Sequence, residues 1–288
     1  MTCSAFRSRN PSATWTMAIA LLAILALPSP DSAQAQTLQE KIKNHQPVVV
    51  GTEDDYRPFE YVDNGKPVGL DNELFQLMKA EAKFDLRQEI IPWTGLLAGV
   101  SSGKYDAAVT GALINQERMK AFDFAMPVAA NTHYYLKRKN DDSIKSIKDL
   151  SGKTVGVQSG SVLLARLPEL QKMIEKSGGK MGKVVQYASY PEAYQDLANG
   201  RVDYVVNGEI NLLGVIAERP GVFEIGKEPV VESPSYVGWP VKKGNKEMLD
   251  YLNDFLRKVR ANGKLEELQK KWLKTSFKDL PEHVEPNF

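Results

Sequence analysis

The stretch TGALINQERMKAFDFAMP, residues 110–127, sets one arginine, Arg118, just ahead of an apolar run. A guanidinium carries a planar fork of donors that matches the two oxygens of a carboxylate, so the chemistry open to it is the grip of an acid. The competing reading is a surface arginine paired with Glu117 or Asp123, because most charged side chains are solvated. Ser161 follows Gly160 at the start of a predicted helix. Its hydroxyl can cap that helix while the first free backbone N–H groups meet an anion, although capping alone would explain a serine there. Glu53, in the turn after the first predicted strand, can serve an amine or stand as a solvated surface acid. The histidines His45, His133 and His283 are far apart and lack ligand spacing, which leaves zinc or a histidine-based triad without support. SGKT at 151–154 lacks the leading glycine of a phosphate loop, since Ile147 stands there, and a strand follows it.

The elements that must hold these residues are written twice. GKYDAAVTG (Gly103 to Gly111) and GRVDYVVNG (Gly200 to Gly208) share one pattern. Amphipathic segments precede both, Thr94 to Ser102 and Pro191 to Asn199, so each leading glycine reads as a helix C-cap and each run after the aspartate as a buried strand. Upstream, each copy continues as a strand (Val48 to Gly51; Thr154 to Val157), a helix, and a second strand (Leu86 to Ile91; Val184 to Tyr187). The first helix is expected to be capped by Asp71 and to carry Leu74, Leu77 and Met78; the second spans about Val162 to Lys176. Strands alternating with helices imply parallel sheets with covered faces, hence two α/β lobes of similar plan. Ligands of such sheets bind beyond the carboxyl ends of the strands. Thr110-Gly111 and Asn207-Gly208 are equivalent positions at those ends. His133 to Leu136 and Tyr236 to Val241 read as a pair of crossing strands, with helices at Lys246 to Ala261 and Leu265 to Leu273 returning to the first lobe.

Residues 1–36 are expected to be a secretory signal peptide: Arg7 and Arg9 precede the apolar run Met17 to Leu27, and Ala33-Gln34-Ala35 offers a cut after Ala35. That run is shorter than the roughly 20 residues a membrane-crossing helix needs. Cys3, the only cysteine, lies upstream of the run, so neither a lipid anchor nor a disulfide is expected. Removing Arg7, Arg9 and Asp31 takes 37 basic and 36 acidic residues to 35 and 35. That balance argues against nucleic acid or an anionic membrane as main partner.

GTEDDYRPFEY, GLDNELFQLM, W-x-x-L-L-x-G-V-x-x-G-K-Y-D, the Q-E-R and FDFAMP of the Arg118 stretch, DLSGKTVGVQSGS, NGRVDYVVNGE and GKLEELQKKWL together resemble the polar amino-acid family of periplasmic solute-binding proteins, over about Pro47 to Leu273. The resemblance implies a two-lobed α/β fold of the type II binding-protein kind with a two-strand hinge, a solute held between the lobes, and delivery to an inner-membrane ABC permease. The expected boundaries are 37–131 plus 236–288 for lobe one and 132–235 for lobe two. The resemblance gives Arg118 the solute's carboxylate, puts Tyr56 and Trp93 over the solute's body, and gives Ser161 a second carboxylate contact. Thr110, Gly111, Asn207 and Glu209 complete the expected site. No cofactor or metal is implied, and a monomer is expected.

The chain also departs from the family pattern. Gly208 stands where an aspartate usually takes the ligand's ammonium, so Glu209 or the carbonyl of Asn207 is the expected substitute. Leu113 stands where a hydroxyl is common. Both departures put an ordinary α-amino acid in doubt and keep other small zwitterions open. The alternatives are a cyclohexadienyl dehydratase-like enzyme, whose general acid would be Glu209 or Glu53, and a ligand-sensing subunit of a membrane receptor.

Overall fold

The computed structural model describes residues 36–285 and residue 288. The expected signal peptide, its cleavage site and Cys3 lie outside the described residues. The chain runs through helix α1 (Leu38–Lys43), strands β1 (Val48–Glu53), β2 (Asp55–Tyr56), β3 (Glu60–Asp63) and β4 (Lys66–Val68), helix α2 (Leu70–Glu81), β5 (Leu86–Ile91), α3 (Leu96–Ser102), β6 (Ala107–Ala108), α4 (Gln116–Ala121) and β7 (Phe122–Phe124). It continues through β8 (Ala129–Asn131), β9 (His133–Arg138), β10 (Val155–Gln158), α5 (Val162–Lys176), β11 (Val184–Tyr187), α6 (Tyr190–Ala198), β12 (Tyr204–Gly208), α7 (Glu209–Glu218) and β13 (Phe223–Ile225). Strands β14 (Ser235–Val237) and β15 (Pro240–Lys242) precede α8 (Lys246–Ala261) and α9 (Lys264–Leu273).

Two five-stranded sheets carry the molecule, in the orders β5-β1-β6-β15-β7 and β11-β10-β12-β9-β13. The orders are equivalent, so the repeat in the sequence is a repeat in space. In each sheet the first three strands are parallel, and the two that follow run antiparallel to their neighbours. The sheets are therefore mixed rather than wholly parallel, because each hinge segment feeds one returning strand into a sheet. The chain crosses between the sheets where β8 pairs antiparallel with β14, Asn131 opposite Ser235 and Ala129 opposite Val237. Of the two expected crossing strands, Tyr236 to Val241 is split at Gly238-Trp239 into β14 and β15, whereas His133 to Leu136 lies wholly within β9 of the second sheet; the crossing strand on that side is β8, which Thr132 separates from β9.

The local signals explain most boundaries. Val48 and Val50 of β1 are wholly buried and share one apolar core with Leu74, Phe75 and Met78 of α2. Helix α5 starts at its serine cap, the Ser161 Oγ accepting from the Leu164 N–H at 3.2 Å. Gly103 ends α3 in the left-handed region, φ 83°, as a C-cap should. In the second copy the cap is Asn199, and Gly200 follows it at φ 75°. Asp71 is not the cap of α2. That position is Gly69, at φ 111°, where a Cβ would sit 2.4 Å from the Phe59 carbonyl oxygen, so only glycine fits. Asp71 instead turns inward, wholly buried, and accepts from the Trp239 indole N–H at 2.8 Å. Among the described residues no helix is long and apolar enough to cross a membrane.

Candidate functional site

Arg118 lies in the first turn of the short helix α4, which starts because Asn115 caps it, its Oδ1 accepting from the Arg118 N–H at 2.8 Å. The guanidinium is half-buried. Its Nη1 donates to the Leu113 carbonyl at 2.7 Å, its Nη2 donates to the Gly160 carbonyl at 3.2 Å, and its Cζ lies 5.0 Å from the Trp93 ring centroid. Glu117 and Asp123, the surface partners a bland reading supplies, are taken by Lys120 and Lys243. Burial pushes the Arg118 guanidinium down to about 10, against the pull of Tyr56, Glu53 and Tyr190, so it stays charged at neutral pH. The fork joins a carbonyl from each sheet's strand-end region, which places it where the two lobes meet.

Glu53 and Gln158 end equivalent strands, β1 and β10, and face each other across the cleft. The Gln158 Nε2 donates to the Glu53 Oε1 at 2.8 Å. Glu53 is only 3% exposed, and this burial raises its carboxyl to about 8; the Gln158 bond and Arg118 oppose the rise. At neutral pH it is mostly a neutral acid. Beside it the Tyr56 hydroxyl donates to the Asn207 Oδ1 at 3.2 Å, and the Asn207 Nδ2 donates to the Tyr194 hydroxyl at 2.8 Å. Tyr56, Tyr190 and Tyr194 form a continuous row, with centroids 5.9 and 5.8 Å apart.

Glu53, Tyr56, Trp93, Gly111, Arg118 and Ser161 line one small cavity of about 20 Å³. That is room for a water and not for an amino acid. A solute reaches the Arg118 fork only if the lobes part and Arg118 exchanges a carbonyl for a carboxylate. On the far side of Tyr56 and Tyr190, which line both spaces, lies a second interlobe cavity of about 320 Å³ that includes Asn207.

Three expected residues behave differently. Thr110 is wholly buried and gives its hydroxyl to Glu60, which also accepts from the Gly111 N–H at 2.9 and 3.1 Å, so Thr110 supports the cleft wall from behind. Gly111 reaches the cavity through its backbone face alone, and a Cβ there would meet the Tyr56 ring at 2.6 Å. Glu209 is not in the cleft. As the first residue of α7 its N–H donates to the Thr132 carbonyl at 2.7 Å, and its side chain lines a separate cavity with Lys274 and Phe277. The helix start at Gly208 turns successive side chains by about 100°, so Glu209 points away from the space Asn207 faces. The place of the missing aspartate is filled by Asn131: a Cβ on Gly208 would lie 2.0 Å from the Asn131 Nδ2.

Sequence reasoning missed Tyr190, Tyr194, Gln158 and Glu60. Tyr190 and Gln158 stand at strand ends or just beyond them, where the rule that selects Thr110 and Asn207 would also have found them. Glu60 carries no such signal. It is wholly buried beside Asp71, which burial raises to about 6, and burial with that neighbouring charge pushes Glu60 well above the usual carboxylate range.

Two similar lobes joined by paired hinge segments, with charged and aromatic side chains meeting where strands end, define a two-lobed binding protein. The chain belongs to the bacterial extracellular solute-binding proteins, family 3, whose model matches residues 48–275. It is 28% identical over 258 residues to the L-cystine-binding protein TcyJ of Escherichia coli K12, covering 89% of this chain and 93% of that one. Among solved structures it is similar to the arginine-, lysine-, histidine-binding protein ArtJ of Geobacillus stearothermophilus, with a TM-score of 0.71 and 29% identity over 81% of this chain and 97% of that one. It is also similar to the ancestral amino acid-binding protein AncCDT-1, a precursor of cyclohexadienyl dehydratase, with a TM-score of 0.70 and 27% identity over 82% of this chain and 98% of that one.

Proposed function

We propose that the protein is the periplasmic solute-binding component of an ABC importer, that its solute is an amino acid or related small zwitterion, and that Arg118 grips the solute's carboxylate. The observation that carries this reading is the half-buried fork of Arg118, joining carbonyls of both lobes beside Trp93. Each relative named above is described as an amino-acid or cystine binder, which supports the solute class. In the reading, residues 37–131 with 236–288 form one lobe and 132–235 the other, residues 1–36 direct export, and a monomer presents the loaded lobes to a membrane permease. The solute meets Arg118, Tyr56 and Trp93 on the first lobe. Closure then adds Ser161 and Asn207, and only contacts made in the closed state shift the equilibrium toward it. Thermal-shift screening against amino acids and other small zwitterions tests this: a specific solute raises the melting temperature, the stabilisation growing as the logarithm of one plus its concentration over its Kd. A screen in which carboxylate-blocked amides work as well as the free acids contradicts the role of Arg118.

One observation favours a second reading. Glu53 is a largely protonated carboxyl inside the cleft, which is what a dehydratase needs as general acid. Incubation with arogenate or prephenate, followed by product mass, decides it. Unchanged substrate leaves the binding reading alone, and turnover lost in Glu53→Gln establishes the enzyme.

A further inference from the structure

We propose that Glu60 and Asp71, buried behind the cleft wall, hold a single proton between them, and that Glu60 is through that proton a positioning residue for solute binding. The role in binding rests on the reading of the cleft as the solute site.

The backbone brings the two acids together. Glu60 starts β3, opposite Tyr56 of β2, and the Asp71 N–H at the start of α2 donates to the Phe59 carbonyl at 2.8 Å. Both side chains are wholly buried, and the Glu60 carboxyl is within hydrogen-bonding reach of Asp71. Their other partners are neutral donors: the Thr110 hydroxyl and the Gly111 N–H for Glu60, the Trp239 indole N–H for Asp71. No cation among these partners offsets two adjacent charges, so the pair keeps one proton at neutral pH. Its place follows from the surroundings. Asp71 lies in the first turn of a 12-residue helix, where the dipole favours the ionised form. Its Oδ2 is buried and otherwise lacks a donor among the described residues. A proton on Glu60 supplies that donor, as a buried acceptor requires.

The pair's partners connect it to binding. Gly111 lines the cavity beside Arg118 and lies so close to Tyr56 that a Cβ there would sit 2.6 Å from the ring. Glu60 fixes that turn from behind, while Asp71 fixes Trp239, which stands between hinge strand β14 and β15. The Gly238 N–H completes the brace by donating to the Ala112 carbonyl at 2.9 Å. Loss of the shared proton sets two buried carboxylates against each other, and their repulsion shifts both the turn under Tyr56 and the hinge step at Trp239. Solute affinity therefore falls as pH rises. The other titratable groups facing Glu60 are Tyr56, which burial keeps a neutral phenol, and Glu53, which burial raises to about 8 and which titrates over the same range.

The test compares wild type with Glu60→Gln, whose amide donates to Asp71 and accepts from Gly111 and Thr110 at every pH, and so has no proton to lose. In the free protein, the nuclear magnetic resonance signal of the Trp239 indole N–H should titrate between about pH 7 and about pH 9.5 in wild type and stay flat in Glu60→Gln. Calorimetric affinity for L-arginine should fall over the same range at least about fivefold more in wild type than in the variant; Glu53 is present in both and cancels in the comparison. Asp71→Asn, which offers Glu60 an amide donor from the opposite side, should give the same flat signal, and circular dichroism confirms that each variant folds. A flat Trp239 signal in wild type, or an equal titration in the variants, overturns the shared proton. An equal fall in L-arginine affinity overturns the positioning role and leaves the cleft reading standing. No L-arginine binding by either protein tells against the cleft reading itself, and the positioning role falls with it.

Discussion

Arg118 is held by one carbonyl from each lobe, and a lysine in its place keeps the charge but loses the fork. A hydrogen bond to a charged group is worth about 1.5–3 kcal/mol, so Arg118→Lys should weaken solute binding by about ten- to a hundredfold, read by calorimetry, with the melting temperature of the free protein little changed. Glu53 makes a pH prediction. Its carboxyl is raised from 4.5 to about 8 by burial, so the folded chain keeps a proton that the unfolded chain releases. The stability tied to that proton is complete below about pH 4.5 and is lost as pH rises through about 8. Melting temperature should therefore fall from pH 5 to pH 8, and Glu53→Gln, neutral throughout and still able to accept from Gln158, should make the fall shallower. Some slope will remain, because Glu60 and Asp71 are raised in the same direction. At this scale the sequence is legible where a side chain's direction follows from its element. Ser161 caps a helix and Glu53 ends a strand, and both reach the cleft. Glu209 misleads because one step along a helix start changes the direction of a side chain, which sequence position alone does not encode.

Gly208 belongs to the scale of elements, since the end of β12, the start of α7 and hinge strand β8 converge on it. The Asn131 side chain fills the space an aspartate there would need, its Oδ1 also accepting from the Ile210 N–H at 3.3 Å. Gly208→Asp should therefore destabilise by about 1–3 kcal/mol through overpacking, and Asn131→Ala in the same chain should recover much of the loss by vacating the space. Chemical denaturation of the single and double variants measures this as a double-mutant cycle; additive losses would show that Asn131 is not the obstacle. The repeated helix-turn-strand unit is readable in the sequence because helix ends, glycines and buried strands each leave local signatures. The mixed character of the sheets is not, because the strands that return through the hinge pair with partners about a hundred residues away. Asp71 shows the same limit: its type and position suit a cap, but the tertiary partner Trp239 claims it.

At the scale of the whole molecule, few polar contacts join the lobes. Besides the pairs at Glu53, Tyr56 and Arg118, the Asn211 Nδ2 donates to the Arg57 carbonyl at 2.7 Å, and Arg57 reaches Glu218 at 3.1 Å, an ion pair whose partly exposed side chains make it worth about 0–1 kcal/mol. Glu218→Ala should accordingly change the affinity for the solute by less than about fivefold, whereas loss of the Arg118 fork exceeds that. Contacts this weak leave closure to the solute, and small-angle scattering should record a smaller radius of gyration on saturation than in the free protein. The most direct measurement is a crystal structure with a tightly bound solute. Its carboxylate should lie within hydrogen-bond distance of the Arg118 Nη1 and Nη2, with Trp93 and Tyr56 against its body. A solute bound elsewhere, with the guanidinium still on the carbonyls of Leu113 and Gly160, would contradict it.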